Sequence, residues 1–313
     1  MVNAAKVALV GTGMVGATFA YRLIESGLVS ELAMTDVDLR RAEGEMMDLN
    51  HALPFEHNCQ IRAGDYSVLE GAGLVVITAG VAQKPGETRR ELVGRNVAIF
   101  RQIIPEILRY APDALLIIAT NPVDIMTYVA LKLSNLAPGR VIGSGTILDT
   151  ARFRYLLGNY YKVDPHSVHA YIIGEHGDSE VPVWSTANIG GVTLVEYSRL
   201  LGKPFNQAEL DGLFEEVRTA AYQIIERKKA TYYAIASGLL RLVEAVLRDQ
   251  ATVFSVSVLQ SGQYGVEDIC LSLPAVIGRG GISHIIQIPL DEQETQKFQD
   301  SAQVLKELAA KIF

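Results

Sequence analysis

Residues 6–16 read Lys6-Val-Ala-Leu-Val10-Gly11-Thr-Gly13-Met-Val-Gly16, a short apolar run followed at once by the glycine pattern GxGxxG. Such a run is typical of a buried strand, and the residues after it have the spacing of a helix. The glycines allow a tight turn, a close approach of the backbone to a bound group, and close packing of helix on strand. Because the free N–H groups at a helix start bind phosphate, this stretch predicts a dinucleotide site.

Asp36 supplies the acidic residue that such a site needs. It lies twenty residues past Gly16, at the end of the second predicted strand. A carboxylate there accepts hydrogen bonds from ribose hydroxyls and repels a 2′-phosphate, so it favours NAD over NADP. The glycine pattern by itself is equally consistent with a turn that binds no ligand. The combination of strand, glycine pattern, helix and acidic residue favours NAD binding.

The first half of the chain alternates predicted strands with predicted helices. This order predicts a parallel sheet with helices on both faces, a Rossmann-type doubly wound α/β fold. Thr78-Ala-Gly80 and Thr120-Asn121-Pro122 follow two of the strands, so they fall at the sheet edge where such folds bind ligands. The predicted strands are residues 6–10, 31–35, 74–78, 114–120 and 141–143, and the predicted helices are residues 14–26, 39–50 and 96–110.

The pattern changes near residue 145. Residues 168–173 and 269–273 predict strands and 278–281 a turn, while helical spacing predicts an amphipathic helix over 210–225 and a terminal helix over 298–312. We therefore expect an NAD-binding domain over residues 1–145 and a C-terminal α+β substrate domain over residues 146–313. The two should pack closely, because no Pro/Ser-rich linker separates them.

Composition excludes several classes of protein. The 313 residues carry a net charge of −7 without a long basic run, which argues against a nucleic-acid partner. No run of eighteen apolar residues predicts a membrane span, and the first apolar run is too short for a signal peptide. Cys59 and Cys270 lack the spacing of a metal site. We expect a cytoplasmic enzyme without a metal.

Three polar segments carry the candidate chemistry: residues 83–89 (QKPGETR), 149–152 (DTAR) and 174–178 (GEHGD). Hydride transfer between a secondary alcohol and a nicotinamide needs a base for the hydroxyl proton, a cation for a substrate carboxylate and a donor for the carbonyl. Spacing does not single out His176 among six histidines. An Asp and an Arg three apart on a helix are also typical of a structural ion pair.

The ordered motifs of the chain resemble the L-lactate/malate dehydrogenase family, and its bacterial members above all. The resemblance runs from the glycine motif to the C-terminal helix and implies the family's fold and its NAD-dependent oxidation of 2-hydroxy acids. The matching segments are GTGMVG at 11–16, Asp36, TAG at 78–80, QKPGETR at 83–89, TNPVD at 120–124, SGTILDTARFR at 144–154, SVHAYIIGEHGDSEVPVWS at 167–185 and KKATYYAIA at 228–236.

The resemblance implies a role for each matching residue. His176 matches the family's proton donor and acceptor, and Asp149 matches the carboxylate that holds it. Arg152 matches the arginine that clamps the substrate carboxylate, and Arg89 matches the arginine of a mobile lid that stabilises charge at the C2 oxygen. The other matches are the substrate positions Gln83, Asn121, Asp124 and Thr231, and the NAD positions Gly11, Gly13, Val15, Gly16, Asp36, Gly80, Asn121 and Ser144.

Gln83 bears on the choice between the family's two substrates. The malate enzymes carry Arg at the matching position, where it meets the second carboxylate of oxaloacetate. Burying that carboxylate beside a neutral Gln would cost several kcal/mol. The sequence therefore favours pyruvate and L-lactate as substrates, and malate is the alternative.

The sequence also bears on two other classes of protein. A relative that binds the cofactor without catalysis is expected to lack His176, Asp149 or Arg152, and all three are present. A short-chain alcohol dehydrogenase would use a Tyr-x-x-x-Lys pair, which Tyr128 and Lys132 do spell. The glycine spacing here is GxGxxG rather than the TGxxxGxG of that family, so we discount it.

The resemblance also implies an effector and an assembly. Arg154 and His169 match a pair that binds the phosphates of fructose 1,6-bisphosphate at a subunit interface in bacterial members of the family. On a helix, Arg154 points away from Arg152. We expect a homotetramer in which this effector lowers the apparent KM for pyruvate.

Overall fold

Strands and helices alternate over the first half of the chain and are grouped in the second half. The chain is known here from a computed structural model that describes residues 3–82 and 88–312. The strands of the described residues are β1 (Asn3–Val10), β2 (Glu31–Thr35), β3 (Gln60–Ala63), β4 (Ala72–Ile77), β5 (Leu115–Ile118), β6 (Val141–Gly143), β7 (Val168–Gly174), β8 (Glu180–Ile189), β9 (Val192–Thr193), β10 (Thr252–Ser261), β11 (Glu267–Gly278) and β12 (Gly281–Ile285). Their α-helices are α1 (Met14–Glu25), α2 (Leu39–Ala52), α3 (Arg89–Tyr110), α4 (Val123–Ser134), α5 (Ile147–Tyr161), α6 (Leu194–Leu200), α7 (Gln207–Lys228), α8 (Tyr233–Leu247) and α9 (Glu292–Ala309).

The first six strands form the predicted parallel sheet in the order β3-β2-β1-β4-β5-β6. The four residues of β5 are all buried, as the continuous apolar run of that strand predicted. Parallel order brings the carboxyl ends of β1, β2, β4, β5 and β6 to one edge of the sheet. The prediction of a Rossmann-type α/β fold is confirmed.

The sheet continues into the second half of the chain, because β6 pairs with β10 in antiparallel fashion. Beyond β10 the order is β11-β7-β8-β9, and β12 pairs with β11. Strand β10 was not predicted, since serines interrupt its apolar run. Two of these, Ser255 and Ser257, are buried, and the Ser255 hydroxyl donates to the backbone oxygen of Ile172 at 2.7 Å. A buried hydroxyl with such a bond is tolerated inside a sheet.

Helix α3 begins at Arg89, seven residues before the start predicted at residue 96. A capping box explains the difference: the Thr88 hydroxyl accepts from the Glu91 N–H, and the Glu91 carboxylate accepts from the Thr88 N–H at 2.9 Å. The helix therefore starts two residues after position 87.

Among the helices of the described ranges, none combines the length and the apolar composition that a membrane span needs.

Candidate active site

The turn between β1 and α1 leaves no room for side chains at two of its glycines. Gly11 has a φ of +99°, and a Cβ there would lie 2.5 Å from the backbone nitrogen of Ala79. A Cβ at Gly16 would lie 2.0 Å from the Gly11 oxygen, which is why α1 can pack so close to β1. At Gly13, by contrast, no described atom lies within 4 Å of an added Cβ. The turn is thus closely packed at Gly11 and Gly16 and open at Gly13, which leaves space for a pyrophosphate. The segment of residues 11–16 is named the cradle.

Asp36 lies beside this turn at the end of β2. Its carboxylate accepts hydrogen bonds from the Thr12 N–H at 2.6 Å and from the Asp38 N–H at 3.0 Å. These bonds fix a negative charge next to the cradle, where ribose hydroxyls would reach it. Val15 lies in the first turn of α1, and Ser144 is buried just after β6. Cradle, acid and edge residues together fit NAD.

Asn96 was not predicted as a site residue, yet it joins two segments of the sheet edge. It is fully buried on α3, and its Oδ1 accepts from the Val81 N–H at 2.9 Å. Its Nδ2 donates to the Asn121 oxygen at 2.8 Å. A Cβ on Gly80 would approach both Thr120 and Asn96. A lone Asn within a helical pattern carries no signal that could have revealed this role.

Asp149, Arg152 and His176 lie together, although the last belongs to a different element. Helix α5 places Asp149 and Arg152 on one face, and Arg152 Nη1 donates to Asp149 Oδ1 at 2.9 Å. The loop after β7 brings His176, whose Nδ1 bonds Asp149 Oδ2 at 2.5 Å. Both oxygens of this carboxylate are therefore in use. The bond at Nδ1 leaves His176 Nε2 as the ring nitrogen for a substrate.

Asp124 holds the backbone of the same loop. It lies in the first turn of α4, is buried, and accepts from the His176 N–H through Oδ2 at 2.8 Å. Since Asp149 holds the ring and Asp124 the main chain, His176 is fixed from two sides. The structure thus joins one residue from the first half of the chain to the catalytic candidates of the second.

The charges of this cluster determine its protonation. Burial lowers the pKa of His176, but the charge and hydrogen bond of Asp149, with the charges of Asp124 and Glu180, outweigh it and raise that pKa to about 9. Burial also disfavours the charged form of Asp149, yet His176 and Arg152 hold the pKa of Asp149 below its usual range. At neutral pH the cluster therefore contains an imidazolium and a carboxylate.

These groups open into a cavity of about 360 Å³ at the edge of the sheet. Helix α7 was predicted as an amphipathic helix, over 210–225, but not as a wall of this cavity. Thr231, which was predicted as a substrate position, is not among the residues that line this cavity. Gln83 lies outside the described residues, and so does the side chain of Arg89, the first residue of α3. The cavity is lined by Leu92, Asn121, Pro122, Asp149, Arg152, His176, Gly177, Asp178, Glu180, Arg218, Ala221, Tyr222 and Ile225.

Arg154 faces a different cavity, as its position on α5 predicted. This second cavity has a volume of about 530 Å³ and is also lined by Tyr171 and Arg241. Arg154 Nε donates to the Ala170 oxygen at 2.9 Å, and its guanidinium lies 5.1 Å from the centre of the Tyr171 ring. His169 is exposed on β7 and is not among the residues that line this cavity.

Family models match both halves of the chain. Residues 5–143 match the lactate/malate dehydrogenase NAD binding domain, and residues 146–313 match the lactate/malate dehydrogenase alpha/beta C-terminal domain. The chain belongs to the lactate/malate dehydrogenase family. Its glycine cradle is thus part of that family's NAD binding domain, and NAD is its cofactor.

Individual members of the family match over nearly their whole length. The L-lactate dehydrogenase of Acetivibrio thermocellus is 49% identical over 97% of this chain and 96% of its own. L-lactate dehydrogenase 2 of Bacillus cereus is 51% identical, with 98% of each chain covered. Among solved structures, a lactate dehydrogenase from a Medee basin deep-sea metagenome library has a TM-score of 0.95 at 44% identity, again with 98% of each chain covered.

Proposed function

We propose that the chain is an NAD-dependent L-lactate dehydrogenase that interconverts L-lactate and pyruvate. The observation that carries this proposal is the Asp149–His176–Arg152 cluster, which combines a proton donor with a cation in one cavity next to the NAD binding domain. The relatives and the solved structure described above are named as lactate dehydrogenases, which supports the same reaction.

The residues of the cluster divide the work of this reaction. Bound NAD would supply the hydride acceptor for lactate oxidation and, in its reduced form, the hydride donor for pyruvate reduction. His176 takes the hydroxyl proton at Nε2 during oxidation and donates it during reduction, while Asp149 holds the ring and stabilises its charged form. One N–H of Arg152 is bonded to Asp149, and the other N–H groups of its guanidinium hold the substrate carboxylate.

This function is tested by following NADH oxidation by the parent enzyme with pyruvate and with oxaloacetate in parallel. We expect a higher kcat/KM with pyruvate, because Arg152 balances its single carboxylate. A higher kcat/KM with oxaloacetate would contradict the proposal and favour malate dehydrogenase instead.

Gln83 is proposed as the residue that sets this preference, on the basis of its place in the sequence. Gln83→Arg should shift the ratio of kcat/KM values toward oxaloacetate by at least about 100-fold, equivalent to about 2.7 kcal/mol. Gln83→Asn, which adds no charge, is the matched control and should keep the preference for pyruvate. An unchanged ratio in the Arg variant would show that this position does not set specificity.

We further propose a division into two domains near residue 145, a cytoplasmic homotetramer, and activation by fructose 1,6-bisphosphate through Arg154 and His169. The position of Arg154 beside Arg241, in a cavity separate from the catalytic one, is compatible with an anionic effector. We expect the effector to lower the apparent KM for pyruvate. Arg154→Gln should abolish the response, whereas superimposable saturation curves for the parent enzyme would contradict it.

A further inference from the structure

Glu180 is a second buried carboxyl group in the catalytic cavity, and the reaction described above does not use it. It is the first residue of β8, is 7% exposed, and lines the cavity together with Arg152 and His176. One polar atom from each of Asp149, His176 and Glu180 lies within 4.8 Å of the other two. The carboxyl group is therefore close enough to sense the charge of both catalytic partners.

Glu180 differs from Asp149 in having no bonded cation among the side chains that the structure describes. Its Oε1 is buried and lacks a hydrogen-bond partner within the described parts of the chain. Arg152 is bonded to Asp149, and Arg218 of α7 is bonded to Glu215 at 2.6 Å. An ionised carboxylate with an unpaired buried oxygen is strongly disfavoured, whereas a protonated carboxyl tolerates the same site.

The charged groups around Glu180 come from several elements. Helix α5 contributes Asp149 and Arg152, helix α7 contributes Arg218, and His176 lies on the loop after β7. Helix α9 packs against β8 at residues farther along the strand, where Glu294 accepts from the N–H groups of Trp184 and Ser185. Asp178 is exposed on the same cavity wall, where it accepts from Tyr222, and Asp124 lies beneath His176.

Burial and the charge of Asp149 raise the pKa of Glu180 to about 8, although the charges of His176, Arg152 and Arg218 act in the opposite direction. At neutral pH this carboxyl group is therefore mostly protonated. The charges of Asp149 and Asp124 then balance those of His176 and Arg152, so an incoming substrate carboxylate meets no net negative charge from these groups. Ionisation of Glu180 would leave a net negative cavity.

We propose that Glu180 holds a proton in the substrate cavity, and that this proton must be present for a 2-oxo monocarboxylate to bind with full affinity. Protonated Glu180 leaves the attraction of Arg152 and His176 to the substrate carboxylate undiminished. Where Glu180 is ionised, the substrate binds together with a proton. Glu180 thus acts through charge as a positioning residue, and this assignment rests on the proposed function.

The test measures the dissociation constant of oxamate, an unreactive analogue of pyruvate, from the enzyme–NADH complex between about pH 7 and pH 9.5. By linkage, the slope of log Kd against pH equals the number of protons taken up on binding. If both Glu180 and His176 must be protonated, the slope in the parent enzyme should exceed 1 by about pH 9 and move toward 2.

Two variants isolate the contribution of Glu180. Glu180→Gln keeps the shape of the side chain but cannot ionise, so its slope should not exceed about 1, which is the proton on His176. Its Kd at pH 7 should stay within about threefold of the parent value, since the carboxyl is already neutral there. Asp178→Asn, which removes an exposed carboxylate from the same cavity, is the matched control and should keep the parent slope above 1.

A parent slope that never exceeds 1 would overturn the role of Glu180, and this outcome does not depend on any variant folding. Equal slopes in the parent and Glu180→Gln enzymes would overturn it as well. Both results leave the proposed function intact, because oxamate still binds at pH 7. Absence of oxamate binding at pH 7 would instead overturn the proposed function, and the role of Glu180 with it.

Discussion

The two halves of the molecule build their parts of the site from different material. The NAD cradle of the first half consists of backbone, and its important feature is the absence of side chains at Gly11 and Gly16. The catalytic cavity, lined mainly by the second half, depends on ionisable side chains, above all the buried Asp149 and the partly buried His176, whose pKa values depend on each other. Binding of the cofactor thus depends on the shape of the backbone, whereas proton transfer depends on the charges of neighbouring side chains.

The largest effect is expected at His176, where a substitution should impair proton transfer without impairing cofactor binding. His176→Asn should lower kcat by about 10²–10⁴-fold, because the proton donor is lost, while the Kd for NADH stays within about twofold. His166→Asn, at a ring that is 96% exposed, is the matched control and should leave kcat unchanged. Loss of NADH binding in the His176 variant would mean that this residue supports the cradle, and the two halves would not be separable.

The same contrast explains what could be predicted from the sequence. The cradle is local: strand, glycines, helix and Asp36 lie within 31 residues, so spacing alone reveals it. The site joins Asp124, Asp149, His176 and Arg218, which come from distant segments of the chain. Only the resemblance to a family could predict that the first three share one site, because no local sequence pattern indicates that they are in contact.

Asn96, Arg218 and Glu180 were missed for a physical reason. Asn96 and Arg218 act through positions that only tertiary packing creates, on α3 and α7. Glu180 lay within a quoted motif, but its importance depends on burial and on an unpaired oxygen, which a sequence does not show. Strand β10 was missed for a similar reason, since its buried serines interrupt the apolar run that would have indicated a strand.

A smaller effect is expected at Arg152, whose charge contributes to substrate binding rather than to proton transfer. Arg152→Lys keeps the charge but replaces a planar fork by a single ammonium group, so the KM for pyruvate should rise by about 10–100-fold. The Kd for NADH should not change, since Arg152 lies outside the cradle. Measuring both constants on one preparation gives the comparison directly. An unchanged KM would contradict the role of Arg152 as the carboxylate clamp.

The smallest effect concerns the shape of the cradle, and two glycines provide a matched pair. Gly16→Ala should lower the free energy of unfolding by about 1–3 kcal/mol, because its methyl group meets the Gly11 oxygen. Gly13→Ala should change stability by less than about 0.5 kcal/mol but weaken NADH binding, because its methyl group points into the open tip of the turn. Denaturant unfolding and NADH fluorescence titration measure the two quantities. Equal losses of stability would contradict this description of the cradle.

The central claim is that the charge of Asp149 outweighs burial and keeps His176 protonated at neutral pH. The most direct test is an NMR titration of enzyme with ¹³C-labelled histidine, in which the His176→Asn variant assigns the resonance. We expect a pKa of about 9 for His176 in the parent enzyme. In Asp149→Asn, burial acts with much weaker opposition, and the pKa should fall below the ordinary value of 6.5. A His176 resonance that titrates at the same pH in both proteins would contradict the claim.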